Sequence, residues 1–131
     1  SLKGHYKMTA ESIRSLSGRK HISLETFRRD GTPVRTPVWF AEADGVLYVY
    51  SLADAGKVKR IRANPRARIA PCDMRGNLRG EWMDAEAHIV EGGEAERGQD
   101  ALRKKYWPWK AIGDFFSRLR GRQQAILAIR L

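Results

Sequence analysis

A single cysteine, Cys72, stands in 131 residues, so no intramolecular disulfide can form and a reducing compartment is expected. No uninterrupted apolar run approaches the roughly 20 residues that span a bilayer. The opening SLKGHYKMTA lacks the apolar core of a secretory signal. Both absences predict a cytoplasmic chain with no membrane partner. His5, His21 and His88 show no metal-ligand spacing among themselves or with Cys72, so no metal site is expected. No P-loop, G-x-G-x-x-G or G-x-S-x-G occurs, which removes the usual nucleotide-fold and hydrolase signals. Acids are scarce too: 15 against 25 Lys and Arg, a formal net charge of +10. An anionic partner is implied, and net charge alone does not choose among nucleic acid, a lipid surface and a phosphorylated small molecule.

What is present is focused. Ser51 to Gly80 carries 8 basic residues against 2 acids, net +6, whereas the flanks contribute +3 and +1. The centre of this stretch, DAGKVKRIRANP (54–65), follows the apolar run VLYVYS, which reads as a strand delivering a short basic helix to one end of a sheet. Asp54 is a plausible N-cap, Val58 and Ile61 share a face, and Asn64-Pro65 ends the turn.

Around this segment the chain reads as mainly β. Thr9 to Leu16 predicts a short opening helix stopped by Gly18. From Lys20 the apolar period becomes two: His21 to Phe27 predicts a strand, Asp30-Gly31 a tight turn, and Val34, Thr36, Val38 and Phe40 the returning strand. Asp44-Gly45 then leads into Val46 to Tyr50, apolar enough to be buried on both faces. Arg66 to Cys72 predicts a fourth strand, Glu81 to Glu91 a fifth closed by Gly92-Gly93, and the tail AILAIRL a sixth. Glu94 to Arg120 turns helical, with one segment to about Tyr106 and a second opened by Pro108. The expectation is one domain over residues 1–131, a six-stranded antiparallel barrel with an N-terminal helix and a C-terminal helical pair.

Several residues could carry chemistry. Lys57 and Arg60 are neighbours on one helix face, with Lys59 and Arg62 elsewhere. The helix start adds amide donors that suit a phosphate, and Ser51 could add a hydroxyl; a solvated basic face is the plainer alternative. Pro37, inside a strand, marks an edge or a bulge where a free backbone amide or carbonyl could meet a planar ring; a bulge with Trp39 packed in the core is the plainer alternative. Tyr106, Trp107 and Trp109 among Lys104, Lys105 and Lys110 fit a membrane surface or a stacked base, though packing is the commoner fate. Cys72, without a histidine nearby in sequence, is expected to be inert. No catalytic side chain is assigned.

The runs ISLETFRRDGTPVRTPVWFAEADGVLYVYS and DAGKVKRIRANPRARIAPCDMRGNLRGEWMDAEA resemble the pyridoxamine 5′-phosphate oxidase-like superfamily of flavin-binding split β-barrels. The closer resemblance is to its probable F-420-dependent branch, and it extends through WPWKAIGDFFSRLRG and AILAIRL. The resemblance implies a homodimeric six-stranded, Greek-key-like split barrel with cofactor at the subunit interface. It also implies an F-420 (deazaflavin) oxidoreductase that passes hydride to an unsaturated small-molecule substrate. Thr36, Pro37, Val38 and Trp39 would line the ring, Ser51 would lie near the phosphate, and Lys57 with Arg60 or Lys59 would bind it. Other members carry an arginine just before the lysine, where Ala55 and Gly56 stand here. An FMN-dependent oxidase, or a non-catalytic flavin, haem or tetrapyrrole carrier, is the alternative, and a nucleic-acid-binding basic domain stands third. The long glutamate tail of F-420 suits the further cations Arg62, Arg66, Arg68, Arg75 and Arg79.

Overall fold

The computed structural model describes Leu16, residues 18–106 and residues 124–131. The expected opening helix, apart from Leu16, and the helix after Pro108 lie outside the described residues. Six strands form: β1 (His21–Phe27), β2 (Pro33–Ala43), β3 (Val46–Leu52), β4 (Arg66–Cys72), β5 (Met83–Val90) and β6 (Gln124–Arg130). Helix α1 (Gly56–Ala63) links β3 to β4, and α2 (Gly92–Tyr106) follows β5. The strands close into a barrel in the order β1-β2-β3-β6-β5-β4, every pairing antiparallel. The first three strands meander as their turns dictate. Asp44 (φ 52°) and Gly45 (φ 81°) both occupy the left-handed region that a two-residue hairpin between Ala43 and Val46 requires.

Alternation decides the interior. Ile22 and Leu24, Val38 and Phe40, Leu47 and Val49, Ala67 and Ile69, Ala85 and Ala87, and Leu127 and Ile129 form one buried cluster, joined by Val58 and Ile61 of α1. The opposite faces of β3 and β6 are covered by α2, whose Leu102 and Tyr106 pack on Ala41, Tyr48, Ile126 and Ala128. β3 is thus apolar on both faces for two different reasons. α2 approaches closely because Gly98 has no side chain: a Cβ there would stand 2.7 Å from Tyr48 Cδ1 and 2.9 Å from Ile126 Cγ2. Glu94 ties down the first turn, accepting from Tyr48 Oη at 3.0 Å and pairing with Arg130 at 2.5 Å.

Three local expectations are corrected, and one open alternative is resolved. Asp54 does not cap α1; Ala55 holds that position without a side-chain bond, and its carbonyl receives the Val58 and Lys59 amides. The helix starts one residue too late for Asp54 to reach it. Gly92 (φ 61°) makes the bend out of β5 and already belongs to α2. β5 begins at Met83 rather than Glu81. Pro37 marks an edge and not a bulge against β1, because the β1–β2 register runs unbroken from His21↔Trp39 to Phe27↔Pro33. Among the described residues no helix is long and apolar enough to cross a membrane.

Candidate functional site

The basic helix sorts its own cations. Val58 and Ile61 turn into the barrel, which leaves Lys57 and Arg60 one turn apart on a shared flank and Lys59 and Arg62 exposed. Lys57 is half-buried, and its ammonium is held below the usual lysine range by burial and by Arg60. Arg60 is lowered by burial and by the charge of Arg28. No carboxylate among the described residues pairs with Lys57, Arg60 or Arg28. Arg60 Nε instead donates to Thr26 Oγ1 at 2.7 Å, and its guanidinium lies against Gly56, where a Cβ would stand 2.9 Å from Nη1. Like charges gathered without counter-charge at a helix start fit a phosphate-bearing ligand.

The Thr36–Trp39 segment lies on β1's other flank. β2 pairs with β1 over Pro33–Trp39 but with β3 only from Phe40 to Ala43. Among the described residues, the outer edge of this segment therefore has no strand beside it. Thr36 lies opposite Leu24 and Val34 opposite Thr26, so Thr36 shares a sheet face with the residue that holds Arg60. Val38 is buried in the barrel, and Trp39 points the other way. Trp39 stacks on Tyr106, ring centroids 5.5 Å apart and planes 24° apart, and meets the edge of His21 at 5.8 Å. Ser51 is buried at the end of β3 and donates to the Leu52 carbonyl at 3.1 Å, with no hydrogen bond to Lys57 or Arg60.

Tyr106 takes the packing role: its hydroxyl lies 2.7 Å from both the Phe40 and Lys20 carbonyls and donates to one at a time. Trp107 and Trp109 lie outside the described residues. Lys105 beside it donates to the Phe40 carbonyl at 2.8 Å with its nitrogen 3.7 Å from the Phe40 ring centre. Burial pushes that ammonium down to about 8. Cys72 is buried, and burial with the neighbouring Asp73 pushes its thiol up, which keeps it in the unreactive form.

One cluster escaped the sequence reading. Glu25, on the outer face of β1, is fully buried, and it accepts from Arg35 Nε at 2.8 Å and from Arg68 Nε and Nη2 at 2.6 and 3.2 Å. Both guanidinium groups lie over the Trp82 ring, at 4.8 and 5.1 Å. Hydrogen bonds from Arg68 first, then Arg35, hold the Glu25 carboxyl below its usual range against the cost of burial. A signal existed: a hairpin centred on Asp30-Gly31 sets Glu25 opposite Arg35. In the following loop Asp73 accepts from the Arg75 and Asn77 amides, Asn77 Nδ2 and Arg79.

Two clefts lie among other described residues. One of about 690 Å³ is lined by Phe40, Ala43, Leu47, Arg97, Asp100 and Lys105 among others, and another of about 410 Å³ by Ile61, Arg62, Pro65 and His88 among others. Thr36, Lys57 and Arg60 line neither. Among the described residues no three His, Cys, Asp or Glu side chains gather in a metal-binding arrangement.

A closed antiparallel barrel in this strand order, with a basic helix after β3, is a split β-barrel. Residues 8–129 match the family profile of pyridoxamine 5′-phosphate oxidase, and the chain belongs to that family. No curated protein is matched by the sequence. Among solved structures the fold is similar to an FAD-binding protein from Mesorhizobium loti (TM-score 0.62, 20% identity, covering 92% of this chain and 85% of that one). It is similar also to the haem-storage protein HutZ from Vibrio cholerae (0.66, 18%, 95% and 89%). A conserved hypothetical protein of Mycobacterium tuberculosis has a TM-score of 0.66 at 22% identity, covering all of this chain (100%) and 84% of its own.

Proposed function

We propose that this chain is a cytoplasmic F-420-dependent oxidoreductase, a homodimer that exchanges a hydride between the deazaflavin and an unsaturated organic substrate. The observation that carries the reading is the group Arg28, Lys57 and Arg60, cationic and unanswered by any described carboxylate, at the start of α1. Bound there, the cofactor supplies the hydride chemistry itself. The protein's part is to bind and orient. Lys57 and Arg60 would hold the phosphate, and the Thr36–Trp39 edge would lie against the ring, with Trp39 kept rigid by Tyr106. Ser51, turned to its own strand end, supports the end of β3 rather than touching the ligand in this reading, and Lys59 is the weaker alternative for the second cation.

The preference for F-420 over FMN rests on cations left for an acidic tail. Arg68 is committed to Glu25 and Arg79 to Asp73, so Arg62, Arg66 and Arg75 remain to meet it. A flavin or haem carrier is the second reading, favoured by the likeness to a haem-storage protein. Titration of the purified protein with F-420, FMN and haem separates them. Tightest binding of F-420, followed by turnover of an unsaturated substrate, supports the reductase; haem binding without turnover overturns it. Lys57→Ala is expected to weaken F-420 binding by roughly 1.5 to 3 kcal/mol, the usual cost of a lost charge-assisted contact, and unchanged affinity excludes Lys57 from the site.

A further inference from the structure

Several arginines of this barrel are anchored through side-chain bonds, and the anchors differ in kind. Arg35 and Arg68 are held by the carboxylate of Glu25, Arg79 by that of Asp73 and Arg130 by that of Glu94, so each of these anchors offsets charge as it positions it. Arg60 is held by a hydroxyl. A hydroxyl fixes a guanidinium without neutralising it, so the full charge remains for a ligand. Thr26 is 1% exposed, which makes its oxygen an acceptor sheltered from water, and the 2.7 Å bond to Arg60 Nε spans 34 residues of chain. With Nε taken, the four N–H donors on Nη1 and Nη2 have no acceptor among the described residues. They lie against Gly56, where a Cβ would stand 2.9 Å from Nη1 and 3.8 Å from Nη2.

We infer that Thr26 is the positioning residue of the phosphate site: its buried hydroxyl docks the Arg60 guanidinium over the first residue of α1, beside Lys57, in space that Gly56 leaves open. This rests on the phosphate reading above. Arg60 is thereby aimed before any ligand arrives, and the ordering cost of a long side chain is met in folding rather than in binding.

The test compares ligands that differ in the phosphate. Calorimetric titration uses F-420 beside its phosphate-free deazaflavin chromophore, and FMN beside riboflavin, on the full chain and on Thr26→Val. The wild-type protein is expected to favour the phosphate-bearing member of a pair. Thr26→Val should cut that preference roughly tenfold, in keeping with one lost charge-assisted bond, leave binding of the phosphate-free partner unchanged, and be rescued by Thr26→Ser. A wild-type preference that survives Thr26→Val overturns the role of Thr26 alone, as does equal weakening of both members. Equal binding of both members by wild type overturns the phosphate site itself. Should Thr26→Val not fold, Gly56→Ala reads the same geometry: its methyl meets only the tip of Arg60, and it should lower the phosphate preference without changing the melting temperature. A preference unaltered in Gly56→Ala overturns the docking.

Discussion

Replacing Glu25 by Gln keeps the shape of the side chain and removes the charge that two arginines share. Glu25 has no exposed side-chain surface, while Arg68 and Arg35 retain 32% and 53% of theirs. Deleting one partner of a fully buried pair costs about 3–5 kcal/mol; water reaching both guanidinium groups lowers this, so about 2–3 kcal/mol is expected. Gln can still accept one bond, but its amide N–H groups then face a donor, and both arginines remain packed on Trp82. The pH dependence carries the sign. A carboxyl held low in the folded protein stabilises it above the unfolded glutamate value, about 4.3, and that stability is lost as pH falls through the folded value. Urea unfolding of wild type and Glu25→Gln should differ by a constant amount from pH 8 to about 5 and converge in acid. A difference within about 0.5 kcal/mol at pH 7, or one unaltered in acid, would refute the buried triad.

Gly98→Ala sets a methyl 2.7 Å from Tyr48 Cδ1, so α2 must lift from β3 and β6; a loss of about 1–3 kcal/mol is expected, read as a lower melting temperature, and a wild-type value would refute the close approach. Lys105 titrates near 8 instead of 10.5, so between those values the unfolded chain holds a proton the folded one has shed. Stability should therefore rise with pH across that window, by about 1–2 kcal/mol after discounting for partial exposure, and Lys105→Met should abolish the rise; a flat wild-type profile measured by urea unfolding refutes the burial of the ammonium.

The strands were legible because each has a face that must be buried. Alternation at Ile22, Leu24, Val38 and Phe40, with Asp-Gly turns at 30–31 and 44–45, leaves little freedom of register. The helix starts were less legible, since capping depends on where the preceding strand releases the chain: Asp54 has the right chemistry one residue too early. In the site, the pairing of Lys57 with Arg60 follows from helical spacing alone. Thr26 was hidden because its partner lies 34 residues on in the chain, in a helix whose docking no local pattern announces. Ser51 sits at the end of β3 as its place in the chain implies, and its hydroxyl donates to the Leu52 carbonyl. Arg68 and Arg79 read as surplus charge in the chain and prove to be tied to carboxylates.

β2 runs eleven residues, and over Pro33–Trp39 it has, among the described residues, a neighbouring strand on one side only. Such a border invites another polypeptide to add itself by main-chain pairing, the route by which sheets polymerise. Two of these seven residues are prolines, which carry no amide proton, and between them stands the charged Arg35. The segment is thus a poor template for a foreign strand, and the same residues that leave the border unpaired also guard it.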